Sequence, residues 1–193
     1  MRRQQARVLE TGDIQRIVGH TRDTRHPERN AVIVLLSFKA GLRACEISGL
    51  TWAMVLKPNG RLAEHLTVSR YIAKYGSGRR VPLHPDLTGA LRRYHRLLGR
   101  PENGPVVRSE RGGHMTPRSI VNWFHGLYGA LGLHGCSSHS GRRTFITRSA
   151  RIISKIGGSL RDVQELAGHR ALTTTERYIE GDRDAQRKLI YLI

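Results

Sequence analysis

Residues 27–48, PERNAVIVLLSFKAGLRACEIS, contain the pattern that decides the fold class. A proline stands where the first turn of a helix accepts one, and an apolar run follows it as far as Phe38. Because apolar residues occupy nearly all sides of this predicted helix, we expect it to be buried at the centre of the molecule. Gly41 is the predicted stop, and residues 43–48 are expected to form a short helical turn directly after it.

The segments around this helix predict a mainly helical α+β domain. A first helix is expected near residues 13–20. Downstream, short β-prone segments separated by Pro-Asn-Gly and Gly-Ser-Gly predict a small three-stranded antiparallel sheet, with strands in residues 52–56, 66–72 and 79–83. Helical spacing then returns in residues 87–98, 117–131, 139–152 and 159–167, and in a last helix capped by Asp182. No internal repeat or linker interrupts the chain, so residues 1–193 are interpreted as one domain.

Local signals mark the ends of several of these helices. Thr116 and the following proline are typical of a capped helix start, and Gly168 is a predicted stop. Thr173 and Glu176 have the spacing of a capping box, which predicts a new helix after that stop. Tyr178 would then lie in the second turn of this short helix.

The charge balance points to an anionic partner. The chain has 33 Lys and Arg against 15 Asp and Glu, a formal net charge of +18, and Arg outnumbers Lys 28 to 5. Nucleic acid is the first partner to consider, and an anionic membrane surface the second. GC-rich codon usage would also raise the proportion of Arg, although it does not explain the net charge.

Other classes of protein are excluded by composition. The apolar run of residues 31–36 is too short to span a bilayer, and the N-terminal residues lack the apolar stretch of a signal peptide. Two cysteines, Cys45 and Cys136, cannot build a disulfide scaffold or a four-thiolate zinc site. We therefore expect a reducing, cytoplasmic location without a membrane anchor.

Three motifs carry residues suited to chemistry on a phosphate. The first, AGLRACEI at residues 40–47, places an Arg after a helix stop and an acid three residues later. The second, HSGRRTF at residues 139–145, places a His and an Arg on one helical face. The third, LAGHRALTTTERY at residues 166–178, separates a His from a Tyr by a predicted helix break.

In this order the motifs resemble the catalytic domain of the tyrosine recombinases, also called phage-type integrases. The resemblance extends over roughly residues 8–190 and implies the helical catalytic fold with its small sheet, without the N-terminal core-binding domain that most relatives carry. The catalytic positions of the family correspond here to Arg43, Lys74, His139, Arg142, His169 and Tyr178.

The resemblance also implies a role for each of these side chains. The two arginines and a His donor would stabilise the negative charge on a scissile phosphate. Tyr178 would attack the phosphorus and form a covalent 3′-phosphotyrosine, with His139 as general base. Lys74 would protonate the departing 5′ oxygen, and Glu46 would orient Arg43 or nearby groups.

Further basic residues are expected to contact DNA. These are Arg79, Arg80, Arg143 and Arg170. Either Arg79 or Arg80 could also fill the hairpin position in place of Lys74. His134, Cys136 and His139 suggest a metal site, but no fourth ligand stands at a suitable spacing, so neither a metal nor a cofactor is expected.

The function implied is site-specific recombination on double-stranded DNA through a Holliday junction, without metal or ATP. The resemblance implies a homotetramer on DNA, with weak association or a monomer when DNA is absent. It also implies a phage, mobile-element or other prokaryotic origin and a nucleoid-associated location. The apolar stripe Ala185, Leu189, Leu192 and Ile193 would dock onto a neighbouring subunit. A type IB topoisomerase, a non-catalytic duplex-binding protein and a ribosomal-type RNA binder remain as alternatives.

Overall fold

The computed structural model describes residues 5–178 and 190–191. Within that part of the chain, helices flank a small antiparallel sheet and pack around one main core, which confirms the mainly helical α+β class. The helices are α1 (Thr11–His20), α2 (Pro27–Lys39), α3 (Ala44–Gly49), α4 (Pro85–Leu97), α5 (Pro117–Ala130), α6 (Ser140–Ile152), α7 (Leu160–Ala167) and α8 (Leu172–Glu176); the strands are β1 (His65–Val68) and β2 (Arg79–Pro82). In these ranges, no helix combines the length and the apolar character that crossing a bilayer requires.

Helix α2 is the central element, as its sequence predicts. Its residues 30–38 are all buried, and α4 and α6 both pack against it. The chain leaves the helix at Gly41, whose φ of +63° favours glycine, and a Cβ at this position would come within 2.4 Å of the Phe145 ring. Glycine here therefore permits both the turn and the close approach of α6.

The sheet has two strands in the described residues, where three were expected. Strands β1 and β2 pair antiparallel, with Leu66 opposite Val81. The predicted strand at residues 52–56 is wrong, because Trp52–Met54 form a 3-10 turn, and the pairing beyond it is a single bridge between Leu56 and Leu62. The Trp52 indole is fully buried, with its ring centroid 4.5 Å from that of His95 at an angle of 41°, so the chain turns to place it in the core.

The predicted helix signals at α5 and α7 are confirmed. The Thr116 hydroxyl accepts a hydrogen bond from the backbone N–H of Ser119, and Pro117 occupies the first position of α5. The Ser159 hydroxyl accepts from the N–H of Arg161 at the start of α7, which ends at Gly168 with a φ of +63°. These short-range bonds satisfy backbone groups that a helix end leaves unpaired.

The prediction for the last motif is wrong in its boundaries. Helix α8 begins at Leu172, after Ala171, and has no side-chain cap, so Thr173 and Glu176 do not form a capping box. Tyr178 follows the end of α8 instead of lying in its second turn, and its N–H donates to the Thr175 carbonyl. The predicted helix after Asp182 and its apolar stripe lie outside the described residues.

The hydrophobic interior consists of two clusters. The main cluster surrounds α2 and includes side chains from helices α1 to α5 and from both strands. A smaller cluster of Ile146, Val163 and Ala167 lies between α6 and α7, and Tyr178 packs against it. The C-terminal motif therefore has a small apolar cluster of its own, in addition to the contact of Leu166 with the main cluster.

Two helical glycines are predicted to respond to alanine in opposite directions. A Cβ on Gly141 would lie 2.2 Å from Ser37 Oγ and 2.8 Å from Ser37 Cβ, so Gly141→Ala forces α6 away from α2 and should lower the free energy of unfolding by about 1–3 kcal/mol. A Cβ on Gly126 in α5 meets nothing within 4 Å, so Gly126→Ala should raise it by about 0.5–1 kcal/mol. Urea denaturation measures both, and a stabilising Gly141→Ala would contradict the close packing.

Candidate active site

Arg142 is the buried centre of the site. It lies in the first turn of α6 and is 4% exposed. One terminal nitrogen, Nη1, donates to the Gly41 carbonyl at 2.6 Å, and Nη2 donates to the Ala167 carbonyl at 2.6 Å. The guanidinium thus connects the C-terminal end of α2 with the C-terminal end of α7.

Donors of Arg142 remain available for an anion. Nη2 also approaches Nε2 of His169 at 3.0 Å, so three of the five guanidinium N–H groups are engaged within the described residues. Burial lowers the pKa of Arg142, and the charges of Arg43 and Arg79 lower it further, while Glu46 acts in the opposite direction. The group still carries its proton at neutral pH, because the ordinary pKa of arginine is so high.

Glu46 orients Arg43, as the sequence predicts. The carboxylate is fully buried, accepts from Arg43 Nη1 at 2.9 Å and accepts from the Arg43 backbone N–H at 2.9 Å. Burial by itself would raise the pKa of Glu46, but hydrogen bonds and charge from Arg79 and Arg43 outweigh it and hold the pKa below its usual range. Glu46 is therefore an ionised acceptor that fixes Arg43 at the start of α3.

Arg79 is part of this buried network. We expected it to contact DNA from an open surface, but the structure buries its side chain. Its side chain is 5% exposed and binds Glu46 with two terminal nitrogens, each at 2.9 Å. Its Nε donates to the Leu166 carbonyl at 2.8 Å. The glycine at 168 leaves room for this arrangement, since a Cβ there would lie 3.0 Å from the Arg79 side chain. Arg79 consequently joins β2, α3 and the end of α7.

His169 is neutral in this arrangement. Its Nε2 accepts from Arg142, so the ring proton is on Nδ1, which faces the Thr175 hydroxyl at 3.0 Å. Burial, together with the charges of Arg142, Arg43 and Arg79, lowers the pKa of His169 to about 4. The ring is thus uncharged at neutral pH and bonded on both nitrogens.

Tyr178 lies against His169. The two rings are stacked with centroids 5.7 Å apart at an angle of 24°, and the Arg143 guanidinium carbon lies 5.8 Å from the tyrosine ring centroid. The Tyr178 carbonyl accepts from the Thr147 hydroxyl at 3.4 Å. Arg143 therefore contacts the tyrosine face, in addition to any contact with DNA.

The structure does not bring all predicted residues into this cluster. Lys74 is exposed in the turn between β1 and β2, with its ammonium 4.9 Å from the Tyr75 ring centroid. Arg170 donates to the Tyr75 carbonyl and lies over the same ring, which connects this turn to the segment after α7. Arg80 is exposed on β2.

His139 is an exposed residue at the N-cap of α6, one turn before Arg142. Its backbone N–H donates to the Ser137 hydroxyl at 3.3 Å. In the part of the chain that the structure describes, no group of three or more His, Cys, Asp or Glu side chains is placed to hold a metal ion.

Comparisons with known proteins all find integrases and recombinases. The family model described as "Phage integrase family" matches residues 7–184. The chain is 33% identical over 169 residues to tyrosine recombinase XerC of Bradyrhizobium diazoefficiens, covering 86% of this chain and 50% of the relative. It is 35% identical over 153 residues to XerC of Mesorhizobium japonicum, covering 78% and 46%. The chain thus spans about half the length of these curated relatives.

Solved structures share the fold at lower sequence identity. XerA recombinase superposes with a TM-score of 0.74 at 20% identity, covering 96% of this chain and 64% of the other. The lambda integrase dimer bound to a COC′ core site gives a TM-score of 0.68 at 19% identity, covering 92% and 62%. These similarities concern the fold of the chain.

Removing the charge of Glu46 should cost far more stability than removing that of an exposed glutamate. Glu46→Gln leaves Arg79 buried without a carboxylate, so we expect the free energy of unfolding to fall by about 3–5 kcal/mol. The matched control is Glu64→Gln, because Glu64 also pairs at 2.9 Å, with Lys57, but its side chain is 79% exposed. That control should show no measurable change. Equal losses in the two variants, measured by urea denaturation, would contradict the role of the buried pair.

The protonation of His169 is testable by nuclear magnetic resonance. At pH 6 we expect a neutral ring with its proton on Nδ1, because the pKa of His169 is lowered to about 4. Because the unfolded state takes up this proton near pH 6.5, the stability that His169 contributes is complete above that pH and is lost as the pH falls towards 4. The variant His169→Gln identifies the resonance and lacks this dependence. A midpoint at or above 6.5 would refute the assignment.

Proposed function

Since the chain belongs to the phage integrase family, we propose that it cleaves and rejoins DNA strands as a site-specific tyrosine recombinase. The observation that carries the proposal is the convergence at Arg142. Its buried guanidinium binds the ends of α2 and α7 and contacts His169, while the Tyr178 ring stacks on that histidine. A fixed cation beside a tyrosine is the arrangement that transfer of a phosphodiester to a phenol requires.

The scissile phosphate would bind to Arg43 and Arg142. Each has N–H donors that the described residues do not occupy, and Glu46 together with the two carbonyl acceptors fixes their directions. Negative charge grows on the non-bridging oxygens as the pentavalent transition state forms, so preorganised guanidinium groups stabilise that state.

His169 would change tautomer when the phosphate binds. If Arg142 turns its Nη2 donor towards the phosphate, Nε2 of His169 is released. When the ring proton is on Nε2, the Nε2–H group donates to a phosphate oxygen, while Nδ1 accepts from the Thr175 hydroxyl, which can be donor or acceptor. The hydrogen bond to Thr175 supports either tautomer, so the ring need not become charged.

The chemical step exchanges one phosphoester for another. The Tyr178 oxygen attacks phosphorus, the bond between phosphorus and the 5′ oxygen breaks, and a 3′-phosphotyrosine forms. His139 would accept the phenolic proton, and Lys74 would give a proton to the departing 5′ oxygen. Lys74 is exposed in the turn between β1 and β2, and Arg170, the neighbour of His169, is bonded to the same turn.

Rejoining reverses these proton transfers. A 5′ hydroxyl from the same or another duplex attacks the phosphotyrosine and releases Tyr178. The bond energy stays in the covalent intermediate, so the proposed cycle requires neither ATP nor a metal ion. Attack by a strand from a second duplex gives exchange through a Holliday junction, which a homotetramer on two duplexes would carry out in the cytoplasm.

The covalent intermediate provides the decisive experiment. A library of nicked duplexes with randomised sequence is incubated with the protein, and DNA that stays attached in denaturant is recovered and sequenced. The wild type should enrich one sequence class, and Tyr178→Phe should yield no adduct, because it lacks the attacking oxygen. Tyr71→Phe is the matched control, since Tyr71 is 84% exposed and lies outside the cluster, and it should behave as wild type.

Other outcomes would replace the proposal. Salt-sensitive duplex binding without any adduct from the wild type would indicate a non-catalytic DNA-binding protein. An adduct combined with relaxation of supercoiled DNA, but no exchange between two duplexes, would indicate topoisomerase activity. An undiminished adduct from Tyr178→Phe would show that another residue is the nucleophile.

A further inference from the structure

The turn between β1 and β2 is joined to the end of α7 and the residues after it by two arginine–carbonyl hydrogen bonds of opposite direction. Arg79, at the start of β2, donates from Nε to the Leu166 carbonyl at 2.8 Å. Arg170, which follows α7, donates from Nη2 to the Tyr75 carbonyl in the turn. We call these two pairs, Arg79 with Leu166 and Arg170 with Tyr75, the reciprocal clasp.

The backbone on both sides of Lys74 is fixed, although its side chain is exposed. Ala73, immediately before it, is 8% exposed and belongs to the main core. Tyr75, immediately after it, has a φ of 63°, which is uncommon for a residue other than glycine. Such a residue keeps this conformation where its surroundings determine it, and here Arg170 binds its carbonyl. Lys74 therefore starts from a defined position.

The Tyr75 ring contacts two cations. The Lys74 ammonium lies 4.9 Å from the ring centroid, and the Arg170 guanidinium carbon lies 5.3 Å from it. The face of an aromatic ring attracts a cation within about 6 Å. Because two positive groups near one ring repel each other, this attraction offsets part of the repulsion. The ring thus gives the Lys74 side chain a contact on the same residue that Arg170 binds.

The segment on the other side of the clasp, residues 166–170, is part of the candidate active site. The Ala167 carbonyl accepts from Arg142 at 2.6 Å, and Nε2 of His169 lies 3.0 Å from the same guanidinium. The two clasp residues of this segment directly flank these partners of Arg142 in the sequence. A shift of the segment therefore displaces the turn and the partners of Arg142 together.

We propose that Arg170 and Tyr75 are positioning residues for Lys74, because they set where its ammonium group lies relative to the segment that contacts Arg142. The inference rests on the proposed function, in which Lys74 gives a proton to the departing 5′ oxygen. Proton transfer requires the donor to be within reach of that oxygen, so loss of either contact impairs this step. Arg170, which the sequence predicts to contact DNA, thereby receives a role within the protein.

The leaving group of the reaction separates this role from a general disturbance of the site. In ordinary DNA, the bond between phosphorus and the 5′ oxygen breaks, and the oxygen takes up a proton. When sulfur replaces this bridging oxygen, the phosphorus–sulfur bond breaks and the group departs as a thiolate. A thiolate needs no proton to leave, because a thiol is far more acidic than an alcohol. Only a defect in proton donation disappears with the sulfur substrate.

The experiment measures the rate of covalent adduct formation at saturating DNA, on one duplex selected by the wild type and prepared with oxygen or sulfur at the bridging position. Arg170→Gln and Tyr75→Asn should each slow the reaction of the oxygen substrate by about 10- to 100-fold. Asn is suitable because it adopts a positive φ more readily than most residues. The reference variant Lys74→Gln should slow it by about 100- to 10,000-fold. With sulfur, all three variants should reach the wild-type rate.

The matched controls are Arg151→Gln and Tyr71→Asn. Arg151 is an exposed arginine in α6, and Tyr71 is an exposed tyrosine in the same turn as Tyr75, but neither belongs to the clasp. Both controls should react at the wild-type rate on both substrates. Equal slowing in the controls would show a general effect of lost charge or lost ring area and would overturn the proposal.

Three further outcomes would also overturn it. Slow reaction of Arg170→Gln with the sulfur substrate would assign its effect to phosphate binding or to attack by the tyrosine. A wild-type rate of either clasp variant on saturating oxygen substrate, with weaker DNA affinity or without it, would remove the positioning role. A wild-type rate of Lys74→Gln on that substrate would show that another group donates the proton. Arg79 is left unchanged in these variants, since it also binds the buried Glu46.

Failure of the proposed function would be recognised separately. If the wild type forms no adduct with either substrate, the proposed function is rejected, and the role of the clasp with it. If the wild type forms adduct and the clasp variants match it on both substrates, only the role of the clasp is rejected. Because Arg170 and Tyr75 are both exposed, their replacement should leave the unfolding temperature near that of the wild type.

Discussion

One buried carboxylate allows this site to exist. Glu46 accepts hydrogen bonds from Arg43 and Arg79, and its charge also acts on Arg142. These guanidinium groups come from the start of α3, from β2 and from α6, so their mutual repulsion would oppose the packing of three elements where screening by water is weak. A single negative charge reduces that repulsion without cancelling it. The same residue therefore supports the fold and leaves a net positive field for an anion.

The parts of the fold that the sequence predicts correctly are those encoded locally. Helix α2 follows from its apolar residues, and α5 and α7 follow from Thr116, Ser159 and Gly168, whose side-chain bonds or backbone conformations act within a few residues. The predicted strand near Trp52 fails because its β-prone composition is overridden by the core, where the indole packs against the His95 ring. The capping box at Thr173 fails because α8 already begins at Leu172, which places Thr173 inside the helix.

The sequence predicts most of the residues that form the candidate site, but it predicts their ion pairs and protonation only in part. The resemblance to the tyrosine recombinase motif leads to Arg43, Arg142, His169 and Tyr178, which the structure brings together. The partners of Arg79 lie 33 and 87 residues away in the sequence, so no local pattern reveals them. The protonation of His169 depends on donors from α6 and α8 and on burial, which are properties of the assembled fold.

The division of the interior into two clusters has a consequence for cooperativity. The nucleophile candidate is held by a satellite core of Ile146, Val163 and Ala167, whereas α2 to α5 belong to the main core. The three buried side chains of the small cluster contribute roughly 4.5–9 kcal/mol together, a small part of what the side chains of the main core contribute. We therefore expect the amide hydrogens from α7 to Tyr178 to exchange faster than those of α2, because opening this segment disrupts the smaller of the two clusters.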